Sequence, residues 1–399
     1  MAITHTIEIG KSKKSSKKKE WTQEEKNEYK QKQKEKIANE KKEFVEKIIE
    51  AAKKNEKMPW EMPNFIRFPK RLEVLKEIAK KNEKDPEHPI PRSKANYRGS
   101  NIIRLCLAMS ECGYTDSRFA GYSQIKEMGG QVRKGEKGIK IWAFKPDGKV
   151  RREYNPETGK NEIVYKINAK TGEFLRDDKG KKIPYKDPVI TMVTVFNVQQ
   201  ADGLKIPPEP PMRELSPKEE CPEMEKIIAN SEAPIKLDQG SGLDRYYSPM
   251  DDEIHLPPKD QFKTMTQFYA TAAHEIGHST GHPTRLNRSI CNEFGSEEYA
   301  REEMVAELSS VFLSQELEIK IPQKEMDNHA AYLKSWNEKI KVLEKNPEEL
   351  TKIISDAQKA TDYIKSHMLE KALKKEQALE KPKRARGIHR RTSDKSMER

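Results

Sequence analysis

The chain has 399 residues, a formal net charge of +12 and a hydrophobic fraction of only 34%. That length predicts two folded domains accompanied by solvated segments. The excess of positive charge favours a polyanionic partner over a small acidic substrate. No apolar run reaches membrane-spanning length, the first residues lack a signal-peptide core, and the four cysteines form no C-x-x-C pair. We therefore expect a cytoplasmic protein with reduced thiols and no membrane partner.

The amino-terminal part changes character near residue 40. Residues 1–39 are rich in Lys and Glu and predict a basic arm that is flexible or helical. Residues 40–204 predict an α+β domain with a small antiparallel sheet. Its expected elements are helices over residues 101–110 and 122–130 and strands over residues 139–144 and 190–198.

A charged insertion, residues 150–186, separates the two predicted strands. It contains three turn units rich in Asn, Asp and Gly, at residues 155–159, 168–172 and 177–180. Because such units close hairpins, we expect an exposed hairpin extension of the sheet.

The rest of the chain predicts a second domain between two solvated segments. A Pro-rich linker, residues 205–217, precedes a mostly helical domain with a small sheet over residues 218–373. The tail, residues 374–399, is basic and poor in apolar residues, and we expect it to be disordered.

The first domain combines positive charge with aromatic rings. Residues 92–145 contain eleven Lys or Arg residues against four acids, interleaved with aromatic residues. Cations can follow a phosphate backbone while rings stack on unpaired bases, so the pattern favours nucleic-acid binding. The residues that we expect to make this contact are Tyr97, Arg98, Arg133, Lys134, Lys137 and Trp142.

The second domain contains the strongest motif. Residues 264–281 hold a single formal charge, Glu275, inside the H-E-x-x-H sequence of residues 274–278. Uncharged residues with apolar side chains at helical spacing predict a buried helix. His274 and His278 lie one turn apart, so both imidazoles can bind one metal ion, and we expect Zn²⁺. Glu275 lies beside them and is the expected catalytic base.

A catalytic zinc site needs a third protein ligand. The longer pattern H-E-x-x-H-x-x-G-x-x-H would place it at position 284, which is Thr284. His282 stays open as an alternative, although its Gly and Pro neighbours indicate a helix end. We favour Glu303, on a helix predicted over Glu297–Glu316.

Other residues near the proposed ligands have less certain roles. Glu307, one turn beyond Glu303, is expected to accept an imidazole N–H, whereas Glu302 is expected to point nearly opposite. Residues 246–257 alternate like a strand closed by prolines, which could align an extended peptide. We identify no oxyanion donor: the available residues, each of which we expect to serve packing instead, are Tyr299, His329 and Tyr332.

Several stretches resemble one family. The amino-terminal domain of ArdC-type antirestriction proteins, which also opens some plasmid primases, is similar to residues 96–101, 129–138 and 195–204. The metallopeptidase domain that follows in the same family is similar to residues 274–288, 294–297 and 302–307.

The resemblance covers residues 40–370 and implies a single-stranded-DNA-binding domain joined to a zincin-like domain. It also implies a protein that is carried by mobile elements and counteracts host restriction. Matched by motif position, His274, His278 and Glu303 are the implied metal ligands and Glu275 the implied catalytic carboxylate. The arm, the insertion and the tail look like additions to the family pattern.

Three functions follow from these features. In the first, which we favour, the protein coats entering single-stranded DNA while its zinc domain cleaves or docks an unidentified protein. In the second, it is a dedicated zinc metallopeptidase that its basic surface recruits to nucleic acid. In the third, the zinc is structural and the domain is a non-catalytic interaction module.

Overall fold

The computed structural model describes residues 23–61, 69–86, 90, 92–168, 171–213, 215–216, 218–237, 245–320 and 329–373. It confirms the predicted fold class, α+β with two domains. The predictions for residues 1–22 and for the tail lie outside the described residues. No helix in the described ranges is long and apolar enough to cross a membrane.

The first domain packs helices around a four-stranded sheet. One continuous helix crosses the predicted boundary between the arm and the domain at residue 39. The helices are α1 (Gln23–Asn55), α2 (Leu72–Lys84), α3 (Ser100–Cys112) and α4 (Tyr122–Glu127). The strands are β1 (Lys70–Arg71), β2 (Arg118–Gly121), β3 (Gln131–Val132), β4 (Ile139–Val150), β5 (Arg152–Asn155), β6 (Lys160–Ile163), β7 (Lys186–Asn197) and β8 (Ala201–Asp202).

The two faces of this sheet have different surroundings. The strand order is β1-β2-β7-β4, and β4 runs antiparallel to β7. Side chains alternate along a strand, so Ile141 is buried against α3 while Trp142 and Phe144 lie on the opposite face. Phe144 pairs with Ile190 across the ladder, and both are exposed. The outer face therefore presents apolar side chains to solvent.

Both long strands continue beyond their predicted ends. The ladder reaches the pair Val150 and Lys186, and the chain between them folds into three hairpins. Their turns fall on the three predicted units, and each contains a glycine in the left-handed region: Gly159, Gly172 and Gly180. We call residues 151–185 the β-extension.

The second domain is mostly helical. Its helices are α5 (Pro222–Ala229), α6 (Met265–Ser279), α7 (Glu297–Glu316), α8 (His329–Lys345) and α9 (Glu348–Tyr363). Its strands are β9 (Ile235–Leu237), β10 (Tyr246–Ser248) and β11 (Glu253–Leu256), in the order β10-β11-β9. The segment predicted as a linker contributes Leu215, which is fully buried in the core of this domain.

One hydrophobic core crosses from the first domain to the second. Ile48 of α1 and Ile103 of α3 belong to the same buried cluster as Leu308 of α7 and Ile354 of α9. Polar contacts follow the same boundary. They join Trp60 to Glu307, Lys70 to Glu318 and Arg98 to Asp362. The domains are therefore packed together rather than tethered.

A buried ion pair joins α7 to α8. Lys339 pairs with Glu307, and each side chain is only 5% exposed. Replacing Lys339 by Met removes this partner charge from a buried carboxylate, so we expect the free energy of unfolding to fall by about 3 kcal/mol. Lys345→Met is the matched control, since Lys345 pairs in solvent with Glu297 of α7, and it should leave the free energy of unfolding nearly unchanged. Urea denaturation measures both variants, and equal losses would contradict the importance of the buried pair.

Candidate metal centre

Two capped helices form the site. Thr264 accepts the N–H of Gln267 at 3.2 Å and begins α6, which carries the H-E-x-x-H residues. Ser296 accepts the N–H of Tyr299 at 3.0 Å and begins α7. The caps fix where each helix starts and therefore which side chains of the two helices face each other.

Helices α6 and α7 pack closely at Gly277. A Cβ atom at this position would lie 2.4 Å from Ser309 Oγ and 3.4 Å from Ala306 Cα. A side chain here would push the helices apart, so the glycine inside the motif permits the contact. Because the helices are this close, a carboxylate on α7 reaches the imidazoles of α6.

Three side chains converge between these helices. The Nε2 atoms of His274 and His278 are 3.2 Å apart. Glu303 places one carboxylate oxygen 3.5 Å from His278 Nε2 and the other 3.7 Å from His274 Nε2. A metal ion needs at least three donor atoms close together. Among the described residues, His274, His278 and Glu303 form the group of His, Cys, Asp or Glu side chains that meets this condition, with one donor atom of each within 4.8 Å of the others.

The separations fit a divalent metal ion. Zinc binds nitrogen and oxygen at about 2.0–2.2 Å in tetrahedral sites, which places neighbouring ligand atoms about 3.4 Å apart. The two imidazole nitrogens are 3.2 Å apart, and each lies 3.5 or 3.7 Å from a different oxygen of Glu303, all close to that value. Two imidazoles and one carboxylate are also a donor set of catalytic sites that keep a fourth position open.

The charges in the cluster are complementary. Burial opposes ionisation of Glu303, but the His278 hydrogen bond and both imidazoles lower its pKa to about 2. Burial lowers the pKa of His278, while its bonds to Glu302 and Glu303 raise it to about 10. A metal ion that binds here must therefore displace a proton from this imidazole.

The structure corrects the expected orientation of Glu302. Its carboxylate is buried, lies 3.4 Å from His278 Nδ1 and accepts two bonds from Arg288 at 2.7 and 3.0 Å. Burial raises the pKa of Glu302, but the Arg288 and His278 bonds lower it below the usual value, which keeps the carboxylate ionised. By accepting the Nδ1 proton of His278, Glu302 leaves Nε2 as the nitrogen that could bind a metal ion.

Glu307 is buried one turn from Glu303. Its carboxylate accepts Nε1–H of Trp60 at 3.4 Å and pairs with Lys339. The carboxylate that faces His278 Nδ1 is Glu302 instead. The role of Glu307 as an acceptor for the other imidazole stays a prediction.

Glu275 is buried beside the three-donor cluster. Burial raises the pKa of its carboxyl group, an effect that His278 and a hydrogen bond from the backbone N–H of Tyr247 partly oppose. Tyr247 belongs to β10, an edge strand of the small sheet, so the carboxylate contacts the strand that was expected to align a peptide.

The other residues that were proposed as ligands or oxyanion donors differ in their position relative to the three donors. The hydroxyl of Tyr299 is hydrogen-bonded to Glu303, and burial together with this carboxylate raises the pKa of the phenol. His282 Nδ1 lies 2.8 Å from Thr284 Oγ1, and His282 is not part of the three-donor group. The side chains of His329 and Tyr332 lie outside the described part of the structure.

Two of the expected nucleic-acid contacts are already engaged. The structure corrects Tyr97, which is 8% exposed in the core that joins the domains and offers no ring face for stacking. Arg98 donates to both carboxylate oxygens of Asp362 at 2.5 Å, so it holds α9 of the second domain.

The remaining candidates lie on one side of the first domain. Arg133 is partly exposed and donates to Glu136 at 2.7 Å and to Asp202 at 3.3 Å. Lys134 and Lys137 are exposed, and neither pairs with an acid among the described residues. Trp142 is half-buried on the outer face of the sheet.

A surface groove of about 560 Å³ lies next to these residues. Its lining includes Tyr122, Gln131, Arg133, Lys134 and Phe196. The rings of Tyr122 and Phe196 meet edge to face at 6.3 Å, and Gln131 Nε2 donates to the Tyr122 hydroxyl at 3.0 Å. The expected contacts include the cations here but neither Tyr122, which is one of the aromatic residues interleaved with them in the sequence, nor Phe196.

An H-E-x-x-H helix whose two imidazoles converge with a glutamate of the next helix is the arrangement that defines a zincin-like domain. In this chain the domain follows a basic α+β domain. Comparison with known proteins gives the same two parts. Residues 38–196 match the N-terminal domain of anti-restriction factor ArdC. Residues 222–359 match a zincin-like metallopeptidase domain. The chain is an ArdC-type protein, and the family resemblance seen in its motifs is confirmed.

Solved structures and curated proteins are similar to this chain. The antirestriction ArdC protein from plasmid R388 shares 29% identity with a TM-score of 0.55, over 82% of this chain and 97% of the other. A second structure of that protein is described as Mn(II)-bound, with 29% identity, a TM-score of 0.55 and coverage of 83% and 98%.

Two curated relatives are described as DNA primase TraC of Escherichia coli. They are 36% and 35% identical over 69% of this chain, which spans only 23% and 17% of their length. Protein y4eC of Sinorhizobium fredii is 29% identical over 69% of this chain and 79% of its own length. The chain therefore spans less than a quarter of the two primase relatives.

The carboxylate behind His278 gives a test of the site. Glu302→Gln weakens the acceptor for Nδ1–H, so we expect zinc affinity to fall about 10- to 100-fold. Glu298→Gln is the matched control, because Glu298 is exposed on the same helix, and its affinity should equal that of the wild type. Competition with a chromogenic chelator measures both. Unchanged affinity in Glu302→Gln would contradict the assigned role.

Proposed function

We propose that this ArdC-type protein is an antirestriction protein of a mobile element that binds single-stranded DNA and carries a zinc metallopeptidase site. The observation that carries the enzymatic part is the buried Glu275 beside two imidazoles and a carboxylate with metal-ligand spacing. The antirestriction role is supported by the similarity to the ArdC protein of plasmid R388.

The residues of the site have distinct roles in this proposal. His274, His278 and Glu303 would hold zinc, which when bound supplies an acidic water and polarises the scissile carbonyl. Glu275 accepts a proton and passes it to the leaving amine. Burial raises the pKa of this carboxyl group, which suits a group that must both accept and release a proton near neutral pH.

The substrate in this reaction is an extended peptide. Strand β10 is the edge of its sheet and contacts Glu275 through the backbone N–H of Tyr247. An edge strand can bind a peptide by main-chain hydrogen bonds, and this mode of binding depends little on the sequence of the peptide.

The DNA-binding part rests on the surface of the first domain. The groove between Tyr122 and Phe196 offers rings beside the exposed cation of Lys134, and the outer sheet face continues it through Trp142 and Phe144. Rings and unpaired cations in one surface suit unpaired bases and their phosphates. Duplex DNA hides its base faces, so we expect tighter binding to single strands.

The salt dependence of binding tests the loop cations. Removing Lys134 and Lys137 together, each by Ala, should lower the slope of log affinity against log salt by about 1.4, because each phosphate contact contributes about 0.7 for single strands. The control is Lys352→Ala with Lys359→Ala, which removes the same charge from α9. Fluorescence anisotropy with oligothymidine measures both slopes, and equal changes would contradict a contact at the loop.

The second candidate, a dedicated peptidase, is tested at Glu275. Glu275→Gln should reduce hydrolysis of labelled casein about 100-fold or more, because general base catalysis contributes about that factor. Zinc content and oligothymidine binding should be unchanged, as they should be in the exposed control Glu298→Gln. Hydrolysis at the wild-type rate would contradict the assigned role of Glu275.

Plasmid protection from restriction is measured with the same variants. Protection that survives in Glu275→Gln excludes hydrolysis as the working function and leaves DNA binding to account for it. Protection that disappears, with DNA binding intact, favours the dedicated peptidase.

A further inference from the structure

We propose that the β-extension, residues 151–185, is a second contact surface for single-stranded nucleic acid, continuous with the outer face of the first domain. The inference rests on the proposed DNA binding of that domain and adds a surface to it. Its basis is an unusual concentration of exposed rings, unpaired lysines and cation–ring contacts in one segment.

Exposed apolar side chains concentrate in and beside this segment. Among the described residues, twelve large hydrophobic side chains are exposed, and seven of them lie between residues 144 and 190. These seven are Phe144, Tyr154, Ile167, Phe174, Leu175, Tyr185 and Ile190. Phe144 and Tyr154 are 67% and 65% exposed, so the segment presents a surface rather than a core.

Cations lie directly against two of these rings, Phe174 and Tyr185, and near the half-buried ring of Tyr165. Lys182 Nζ is 3.8 Å from the centroid of Phe174 and 5.6 Å from that of Tyr165. Arg151 lies 4.3 Å over the ring of Tyr185. A base stacked on such a ring would bring its phosphate close to a positive charge, which is the arrangement that single-strand binding surfaces use.

The charges of the segment point to a polyanion. Residues 150–186 contain ten Lys or Arg against six Asp or Glu. Some of the acids are occupied by the turns: Glu162 accepts from Thr158 at 2.7 Å, and Asp177 accepts the backbone N–H of Lys179 and Lys181 at 3.0 and 2.9 Å. The side chains of several lysines, in contrast, pair with no acid in the described part of the chain, among them Lys166, Lys179 and Lys181.

The β-extension continues directly from the sheet of the first domain. β4 and β7 run from the pair Ile139 and Val195, of which Val195 is buried, to the pair Val150 and Lys186, where the β-extension starts. Phe144 and Ile190 bridge the distance between the groove side of the sheet and the extension. A strand that binds the groove could therefore follow one surface outward. A protein interface would instead deplete charge at its centre, where this segment has lysines.

Replacing aromatic rings by aliphatic side chains tests the inference while keeping the protein folded. Tyr154→Leu with Phe174→Leu keeps two apolar side chains but removes their π-faces. We expect affinity for a long oligothymidine, about 30 nucleotides, to fall about tenfold or more, because each stacked base contributes measurably to binding. Affinity for a short one, about 8 nucleotides, should be unchanged, because a strand of that length fits the site size expected of a single domain and need not reach the β-extension.

Two further variants distinguish stacking of bases on the rings from a general apolar contact. Ile167→Ala with Leu175→Ala removes exposed aliphatic side chains from the same segment, and should leave both affinities unchanged. Replacing residues 151–185 by Asn-Gly, which closes the pair Val150 and Lys186, should lower affinity for the long oligonucleotide to that for the short one. Circular dichroism and zinc content check that each variant is folded.

The outcomes are distinct for the two proposals. Loss of long-oligonucleotide binding only in the ring and deletion variants supports the inference. Equal binding of both lengths by all variants overturns it while leaving DNA binding by the first domain intact. A wild-type protein that binds neither oligonucleotide overturns the proposed DNA-binding function itself. Equal losses in the ring and aliphatic variants would overturn stacking and indicate an apolar docking surface for a protein.

Discussion

The close contact of α6 and α7 at Gly277 is the constraint on which the candidate site depends. It leaves no space for a side chain between the helices and brings Glu303 within 3.5 Å of His278. Arg288 reinforces the contact, because it donates both to the carbonyl of Gly277 at 2.9 Å and to the Glu302 carboxylate. The same interactions that hold the helices together therefore orient the imidazole and keep its acceptor ionised.

The H-E-x-x-H motif was enough to predict the two imidazoles of this site, but it did not predict the residues that surround them. One helical turn separates His274 from His278, so their convergence follows from local geometry alone. The role of Glu302 was missed because a helical wheel assumes one buried stripe. Helix α7 is instead buried at almost every position from Met304 to Gln315, so its sequence does not indicate which face meets α6. Arg288 lies on an irregular segment, where sequence spacing carries no direction.

The first domain shows the same division between local and tertiary information. The strands, their turns and the exposed loop lysines follow from patterns within a few residues of one another. Tyr97 was misassigned because its sequence neighbours are basic, while the partners that bury it come from distant parts of the chain. The shared core of α1, α3, α7 and α9 likewise could not be predicted, since an apolar pattern within a helix does not indicate which other helix packs against it.

The packed boundary bears on how the two domains work together. Trp60 of the first domain donates to Glu307, which lies one turn from Glu303, so both domains contribute contacts beside the candidate metal centre. The central claim is that two imidazoles and Glu303 bind one ion. X-ray absorption on the zinc-loaded protein tests it most directly. The account predicts nitrogen or oxygen neighbours at about 2.0–2.2 Å with the multiple scattering of two imidazoles, and weaker zinc binding by Glu303→Ala. Sulfur ligands, or a zinc affinity that is unchanged in Glu303→Ala, would contradict it.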